Sequence, residues 1–449
     1  MNQHHASTGP TDQQQITLRG PAELADALPF MLGFHPTDSV VLVALHGERG
    51  RFGGRLRLGI PRSPGEWAAT ADQLAECLVE GCERRGERPD GILVFLCQDP
   101  APGERAHRVM ERLRPFAQRL RTACGGLDVP VYEALCISDG RYFSYCCPDS
   151  RCCPPDGTPL ALPGTSVMAA ASAYAGIQVR GSLRDMEARF RPPVPDDASQ
   201  RDALDEASAA LVPRILDART FDRVRDDTLA LARELMGRFE GASSRDGDEG
   251  DDALVTHGEA AAVIMGLQDR DTRDRAAEWM EGAEGAAALR LWRVLARRCV
   301  VPYTEHAAAP LTLAGWTAWS TGDEPAARVA LGLALNADPD YRFALLLHQA
   351  CNEGIDPESL RDCLRTERAA RDLVPAEPAA SPSAAQAPSP APTPAAAHGR
   401  VRRARAGRPP TAGGPTRPGR GGRNGRGGVR PARAGGGVPR RGRRGTGTG

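Results

Sequence analysis

The sequence predicts an α/β domain layered around a mixed sheet, then an all-α, helical-repeat-like domain and a disordered tail. Three observations predict it. Apolar runs of strand length at 39–45, 91–97 and 129–137 alternate with helical patterns across residues 15–190. From 196 to 366 the apolar spacing is helical throughout. From 372 to 449 the chain turns to Pro/Ala/Ser and then to Arg/Gly/Pro, which bury too little apolar surface to offset backbone entropy. Residues 1–14 are polar and are expected to be disordered too.

The elements follow in order. Ile16-Thr17-Leu18-Arg19 begins a short strand. Residues 21–32 form a helix, with Pro21 at its start and Gly33 at its stop. The run 39–45 (SVVLVAL) suits a strand covered on both faces. In 51–60, Phe52, Leu56, Leu58 and Ile60 alternate with polar or small residues, marking a hairpin partner. Trp67, Ala71, Leu74 and Leu78 recur at helical spacing, which predicts a helix over 64–85. Residues 91–97 (GILVFLC) form the second buried strand. A helix follows with Val109, Met110, Leu113, Phe116 and Leu120 on one face and Pro115 as a kink. After a third strand at 129–137, Asp139-Gly140 is a hairpin turn, and 142–145 returns into a cysteine cluster. A helix at 166–174 completes the domain.

In the helical half, an acidic, Gly/Ser-rich break at 241–252 separates two outer helices from a later bundle. Residues 308–341 fit the tetratricopeptide template. Gly315, Gly322-Asp323, Ala327, Ala334-Leu335 and Asp338-Pro339 fall where that repeat takes small residues, a turn and a terminal proline. One repeat cannot bury its own faces, so helices at 284–300 and 341–351 are the expected stack partners.

Composition excludes several chemistries. All 57 basic residues are arginine. Without lysine there is no P-loop lysine, kinase strand lysine or Schiff base. The Gly-x-Ser-x-Gly elbow is also missing, since Gly164-Thr165-Ser166 lacks the second glycine. No apolar run reaches the ~18 residues of a membrane span, and no signal peptide opens the chain, so the expected location is the cytoplasm. The tail from Arg400 holds 15 of the 57 arginines and no acid. Residues 1–399 keep the other 42 against all 57 acids, a net of −15. An acidic body with a basic tail results. The basic face Arg105, Arg108, Arg112 and Arg119 is expected to be a solvated surface.

Four cysteines in eight residues, Cys146, Cys147, Cys152 and Cys153, are the densest chemistry in the chain. Three uses stay open. Cys147, Cys152 and Cys153 could hold zinc with a distant His35, His46 or His107, although Cys-x2-Cys spacing is absent. A disulfide across Cys147 and Cys152, or Cys146 and Cys153, could be redox-active if Arg151 acidifies one thiol. The loop could also be structural, with inert thiols. His35, with Asp38 as orienting partner, is a ligand or base, or else a turn residue capping the helix end.

The stretch Leu18-Arg-Gly-Pro21 through Leu32-Gly-Phe-His-Pro36 to Ser39-Val40-Val41 resembles an actinobacterial family. Further motifs carry the likeness: Arg57-Leu-Gly-Ile-Pro61, Phe143-Ser144-Tyr145, and the segment Cys152-Cys153-Pro154-x-x-Gly157. That family is catalogued as domain of unknown function 4192. The resemblance covers roughly residues 15–366 and implies the domain boundaries but no activity. It also implies one cysteine ahead of the Cys-Cys-Pro step, so the pair Cys146-Cys147 holds one more than the family uses.

The leading expectation is a cytoplasmic interaction protein whose helical domain meets a protein partner and whose cysteine loop is structural or redox-responsive. A second is a metal- or thiol-dependent enzyme with His35, His46, Arg57, Asp99 and Cys146–Cys153 gathered at the strand-end loops. A third is nucleic-acid binding through the Arg/Gly-rich residues 400–449.

Overall fold

A computed structural model describes residues 18, 20–162, 164–217, 220–240 and 247–373. The expected N-terminal segment 1–14, the tail from 374 on and most of the strand at 16–19 lie outside these residues.

Helix α1 (Pro21–Leu32) starts with proline in its first turn. Gly33 ends it in the left-handed conformation (φ 82°), with its N–H donating to the Pro29 carbonyl at 2.8 Å. Strand β1 (Ser39–His46) is buried along its whole length. β2 (Arg51–Gly59) returns beside it as an antiparallel hairpin partner. Helix α2 (Trp67–Arg84) follows a 3-10 turn at Pro64–Glu66. Next come β3 (Gly91–Cys97), α3 (Ala106–Gly126), β4 (Val131–Ser138), β5 (Arg141–Ser144) and the two-residue β6 (Thr158–Pro159). α3 runs through Pro115 as one element rather than stopping there.

The six strands form one mixed sheet in the order β2-β1-β3-β4-β5-β6. Only β3 and β4 are parallel, joined by the α3 crossover. Alternate residues of β1 and β3 serve opposite faces. Val40, Leu42, Val94 and Leu96 pack with α2 and α3, while Val41, Val43, Leu93 and Phe95 pack under α1. That two-sided burial explains the unbroken apolar runs.

Helices α4 (Val167–Tyr174) and α5 (Leu183–Ala188) lead into the helical half. It comprises α6 (Ala198–Leu216), α7 (Phe221–Glu240), α8 (Gly247–Ala253), α9 (His257–Gly266), α10 (Arg270–Ala276), α11 (Gly282–Arg297), α12 (Ala308–Ser320), α13 (Glu324–Ala337), α14 (Arg342–Glu353) and α15 (Glu358–Asp372). Every residue of α12 is buried, so it forms the centre of a stack in which α11, α12, α13 and α14 pack in sequence. Trp316 of α12 donates its indole N–H to the Ala277 carbonyl at 2.8 Å.

The acidic break expected at 241–252 is narrower than its composition implies. From Gly247 the chain is helical, because its acids neutralise arginines of α11. Asp251 takes Arg290, and Asp252 takes Arg297 at 2.7 Å, while Asp248 takes Arg189 at 3.0 Å. Arg297 is only 5% exposed and also donates to the Arg189 carbonyl at 2.6 Å. A buried guanidinium needs such partners.

The two halves form one compact unit, and the turn after α1 joins them. Phe34 is buried in the helical core beside Leu183, Met186 and Phe190. His35 N–H donates to the Gly181 carbonyl, and Leu183 N–H donates to the His35 carbonyl, both at 2.9 Å. Arg180 pairs with Asp323, the N-cap of α13, at 3.0 Å. A Cβ on Gly33 would overlap the Pro325 ring at the start of α13. Gly33→Ala therefore combines a left-handed backbone penalty with overpacking and should cost about 2–4 kcal/mol, read from chemical denaturation. A loss within about 0.5 kcal/mol would contradict this docking.

Helix α15 docks differently. None of its residues is fully buried; Leu360 and Leu364 only pack at the rim of the core. Arg361 and Arg365 clasp Glu281 at 2.6 and 2.7 Å, Arg368 pairs with Glu284 at 2.7 Å, and Arg371 pairs with Glu278. Arg365 and then Arg361 hold the Glu281 carboxyl at about 2, below its ordinary 4.5. A depressed carboxylate stabilises the fold above its unfolded pKa and loses that contribution as pH falls through the folded one. Pepsin cleavage should therefore begin within 358–372 as pH drops from 4.5 towards 2. Cleavage starting in α12 would refute it.

Candidate functional site

The cysteine loop leaves β5 through a side-chain anchor. Ser144 Oγ donates to Glu133 at 2.9 Å and accepts the N–H groups of Cys146 and Cys147 at 3.1 and 3.0 Å. Phe143 and Tyr145 flank it in the core, the Tyr145 hydroxyl donating to the Met110 carbonyl at 2.9 Å. The Asp149 carbonyl then accepts from Cys152 N–H at 3.2 Å and Cys153 N–H at 2.8 Å, folding the loop back. Gly157 closes it at φ 76°, where a Cβ would sit 2.6 Å from the Phe143 ring, so only glycine fits. His107 meets the loop through Nδ1 at 3.0 Å from the Pro155 carbonyl.

This scaffold gathers three sulfurs. Cys147, Cys152 and Cys153 place their Sγ atoms within 4.8 Å of one another. Cys147 lies 2.9 Å from Cys152, and Cys152 lies 3.8 Å from Cys153. Cys146 turns away and packs against the α2–α3 face of the core. It is therefore the cysteine outside the cluster.

The thiols are electrostatically unequal. Hydrogen bonding from Cys152, then the Asp149 backbone and Cys153, lowers the Cys147 pKa. The same bond raises Cys152, while burial first, then its thiol neighbours, pushes Cys153 up to about 12. Arg151 is not the acidifying group, because its guanidinium is held by Asp149 at 3.1 and 3.0 Å. Of the three, Cys147 is the thiol whose ionisation the arrangement favours. The same three sulfurs could also ligate a thiophilic cation.

His35 and Arg57 are not part of this cluster. Arg57 on β2 and the loop after β5 are four strand spacings apart, roughly 19 Å at about 4.8 Å each. His35 spends its backbone on the bridge to Ser182, and Asp38 engages Arg184 at 2.9 Å and Gln98 at 3.2 Å rather than the imidazole. Nor do His46 and Asp99 meet. β1 and β3 are antiparallel, so the loops after them open at opposite ends of the sheet. His46 is buried 3.7 Å from Glu87, and Asp99 accepts the Asp139 N–H at 3.0 Å to brace the β4–β5 turn.

Sequence reasoning missed a second feature. A cleft of about 1690 Å³ runs along β2, between α2 on one side and α13 and α14 on the other. Arg57 lines it, donating through Nε to Ser39 Oγ at 2.9 Å. Arg55, Arg85 and Arg328 line it as well. The alternation Arg55-Leu56-Arg57-Leu58 was the available signal.

The family model described as Domain of unknown function (DUF4192) matches residues 21–358, about three quarters of the chain. The chain belongs to that family. The DUF4192 match spans the sheet, the cysteine loop and the helical stack, and stops at the first residue of α15. Neither the curated proteins nor the solved structures contain a match to this DUF4192 chain. Among the described residues, no helix is long and apolar enough to cross a membrane.

The lowered Cys147 pKa makes a direct expectation. Iodoacetamide at about pH 7 should alkylate Cys147 ahead of the exposed Cys77 and Cys363, and Cys152→Ala should slow it by removing the hydrogen bond. Equal rates at all three, read by peptide mass spectrometry, would contradict the assignment.

Proposed function

We propose that this protein is a non-enzymatic interaction module with a thiol-responsive loop, in which Cys147 and Cys152 interconvert between dithiol and disulfide. The single observation behind it is the 2.9 Å separation of their sulfurs, on a loop pinned by Ser144 and Gly157. That contact lies inside ordinary sulfur packing and needs only a small closure to reach the ~2.05 Å bond.

The chemistry is thiol–disulfide exchange. Cys147 thiolate attacks one sulfur of an external disulfide, and the other sulfur leaves as a thiolate that takes up a proton. Cys152, deprotonated, attacks Cys147 in the mixed disulfide and expels the second external thiol. Two protein thiols are oxidised and one external disulfide becomes two thiols. Cys153 stands 3.8 Å from Cys152 as a third sulfur that can reshuffle the bond.

A second reading is a thiophilic metal centre, favoured by the Cys152–Cys153 separation of 3.8 Å. Two thiolates at ~2.3 Å from a tetrahedral zinc lie about 3.8 Å apart. The triad would supply three ligands.

The helical half is the partner surface in this proposal, with the α12–α13 pair in the place of the tetratricopeptide-like segment. Titration with oxidised glutathione tests the loop. The expected result is a loss of two free thiols, mapped to a Cys147–Cys152 bond and restored by dithiothreitol. Stoichiometric zinc in freshly purified protein would select the metal reading. Oxidation of Cys77 and Cys363 before Cys147 would sink the switch.

A further inference from the structure

We infer that the outer edge of β2 is the acceptor strand for an extended, acidic segment of a partner protein, which adds to the sheet within the cleft. The inference takes from the proposed function only that a protein partner exists, and nothing from the thiol loop.

The first support is the unpaired edge. Among the described residues β2 is an end strand hydrogen-bonded only to β1, so every second residue directs its N–H and C=O outward. Among the described residues, no backbone group of 51–59 bonds outside the ladder. Native edges are ordinarily blunted by a covering helix or loop. Here α13 and α14 stand off instead, leaving a cleft that follows the strand from Arg51 to Ile60. Its volume, about 1690 Å³, exceeds the roughly 300–1,000 Å³ of small-molecule sites and suits a polymer segment.

Charge chooses the partner. Arg55 and Arg57 are two residues apart, so they share one face of β2. Neither they nor Arg85 has a carboxylate within ion-pair distance among the described residues, whereas Arg51, Arg84 and Arg328 are paired to Glu87, Glu80 and Glu324. The acids at the cleft are engaged too: Glu187 takes Arg191 at 2.6 Å, and Glu353 accepts from Gln349 at 2.9 Å. Arg55 and Arg57 both still reach solvent although packing around them disfavours their charged forms, so an incoming carboxylate can meet two guanidinium groups that lack an acidic partner.

The opposite face of β2 carries Leu56 and Leu58, the latter 43% exposed, near Cys77 and Leu78 of α2. A strand whose side chains alternate acidic and apolar therefore matches both faces at once. The chain's own tail has the wrong sign, since it holds 15 arginines and no acid from Arg400 on. The occupant is another protein.

The test uses the reduced full-length chain and fluorescein-labelled ten-residue peptides in which Glu alternates with Val, Ile or Leu. Anisotropy should show binding, and the double variant Arg55→Glu/Arg57→Glu should weaken it at least about tenfold while Arg119→Glu does not. Peptides N-methylated on odd or on even backbone positions lose donors on one edge only. One series should lose binding and the other keep it, with amides of 51–59 gaining hydrogen-exchange protection. The inference is overturned if no peptide binds below about 1 mM, if both methylated series bind alike, or if Arg119→Glu is as harmful. It is also overturned if the chain self-associates through β2 and the peptides do not compete. Repeating the titration with Cys147→Ser separates the two proposals, since peptide binding retained there leaves the thiol reading to its own experiment.

Discussion

The contact of the Gly33-Phe34 turn with Pro325 and the helical core is the constraint on which the rest depends. The turn performs three tasks within a few residues. It ends α1 in a left-handed cap, buries Phe34 among helices, and delivers the chain into the central strand β1. Its backbone exchanges hydrogen bonds with 180–183, so the linker into the helical half is stitched to the entrance of the sheet. Pairing of Ser39 with Gly59 then brings the end of β2 beside the same junction. The cleft along β2 reaches this junction, where Leu32, Phe34, Leu183 and Pro325 join its lining.

Arginine alone supplies the positive charge in this interior. Its planar fork can satisfy a carboxylate in two places and a carbonyl in a third, which a lysine cannot do. Arg297 uses it that way, joining Asp252, the Asp248 carbonyl and the Arg189 carbonyl. Arg290 does the same with Asp251 and the Phe239 carbonyl at 2.7 Å. Where such partners are complete the arginine is structural. Arg57 instead gives its Nε to the Ser39 hydroxyl at 2.9 Å, on the open edge of the sheet.

The two candidate surfaces lie at opposite edges of one sheet. At the β5–β6 edge, a short irregular loop is held by a serine hydroxyl, a carbonyl and a glycine against Phe143, and the scaffold brings thiols close. At the β2 edge the backbone itself is the open valence. The strands between them separate the thiol loop from the open backbone edge.

Local pattern determined a good deal: the buried runs of β1 and β3, the hairpins, Pro21 and Gly33 as helix limits, and the helical stack were legible because burial on both strand faces and 3.6-residue spacing leave marks in the order of residues. So was the cysteine cluster, one member of which the family resemblance implied to be surplus. The third run, expected to be buried as well, became β4 with Tyr132 exposed. Other features depended on partners distant in the chain. The Ser182-Leu-Arg-Asp185 capping box was a visible signal for α5, but β6 has none, being two residues defined only by pairing with Arg141 and Tyr142. The acids at 247–252 looked like a solvated break until Arg290 and Arg297 came to meet them. Which cysteine stood apart, and that β1 and β3 run oppositely so that His46 and Asp99 diverge, was settled only by tertiary structure. A strand buried on both faces carries no record of its direction, and a side chain's partner is set by where the rest of the chain returns.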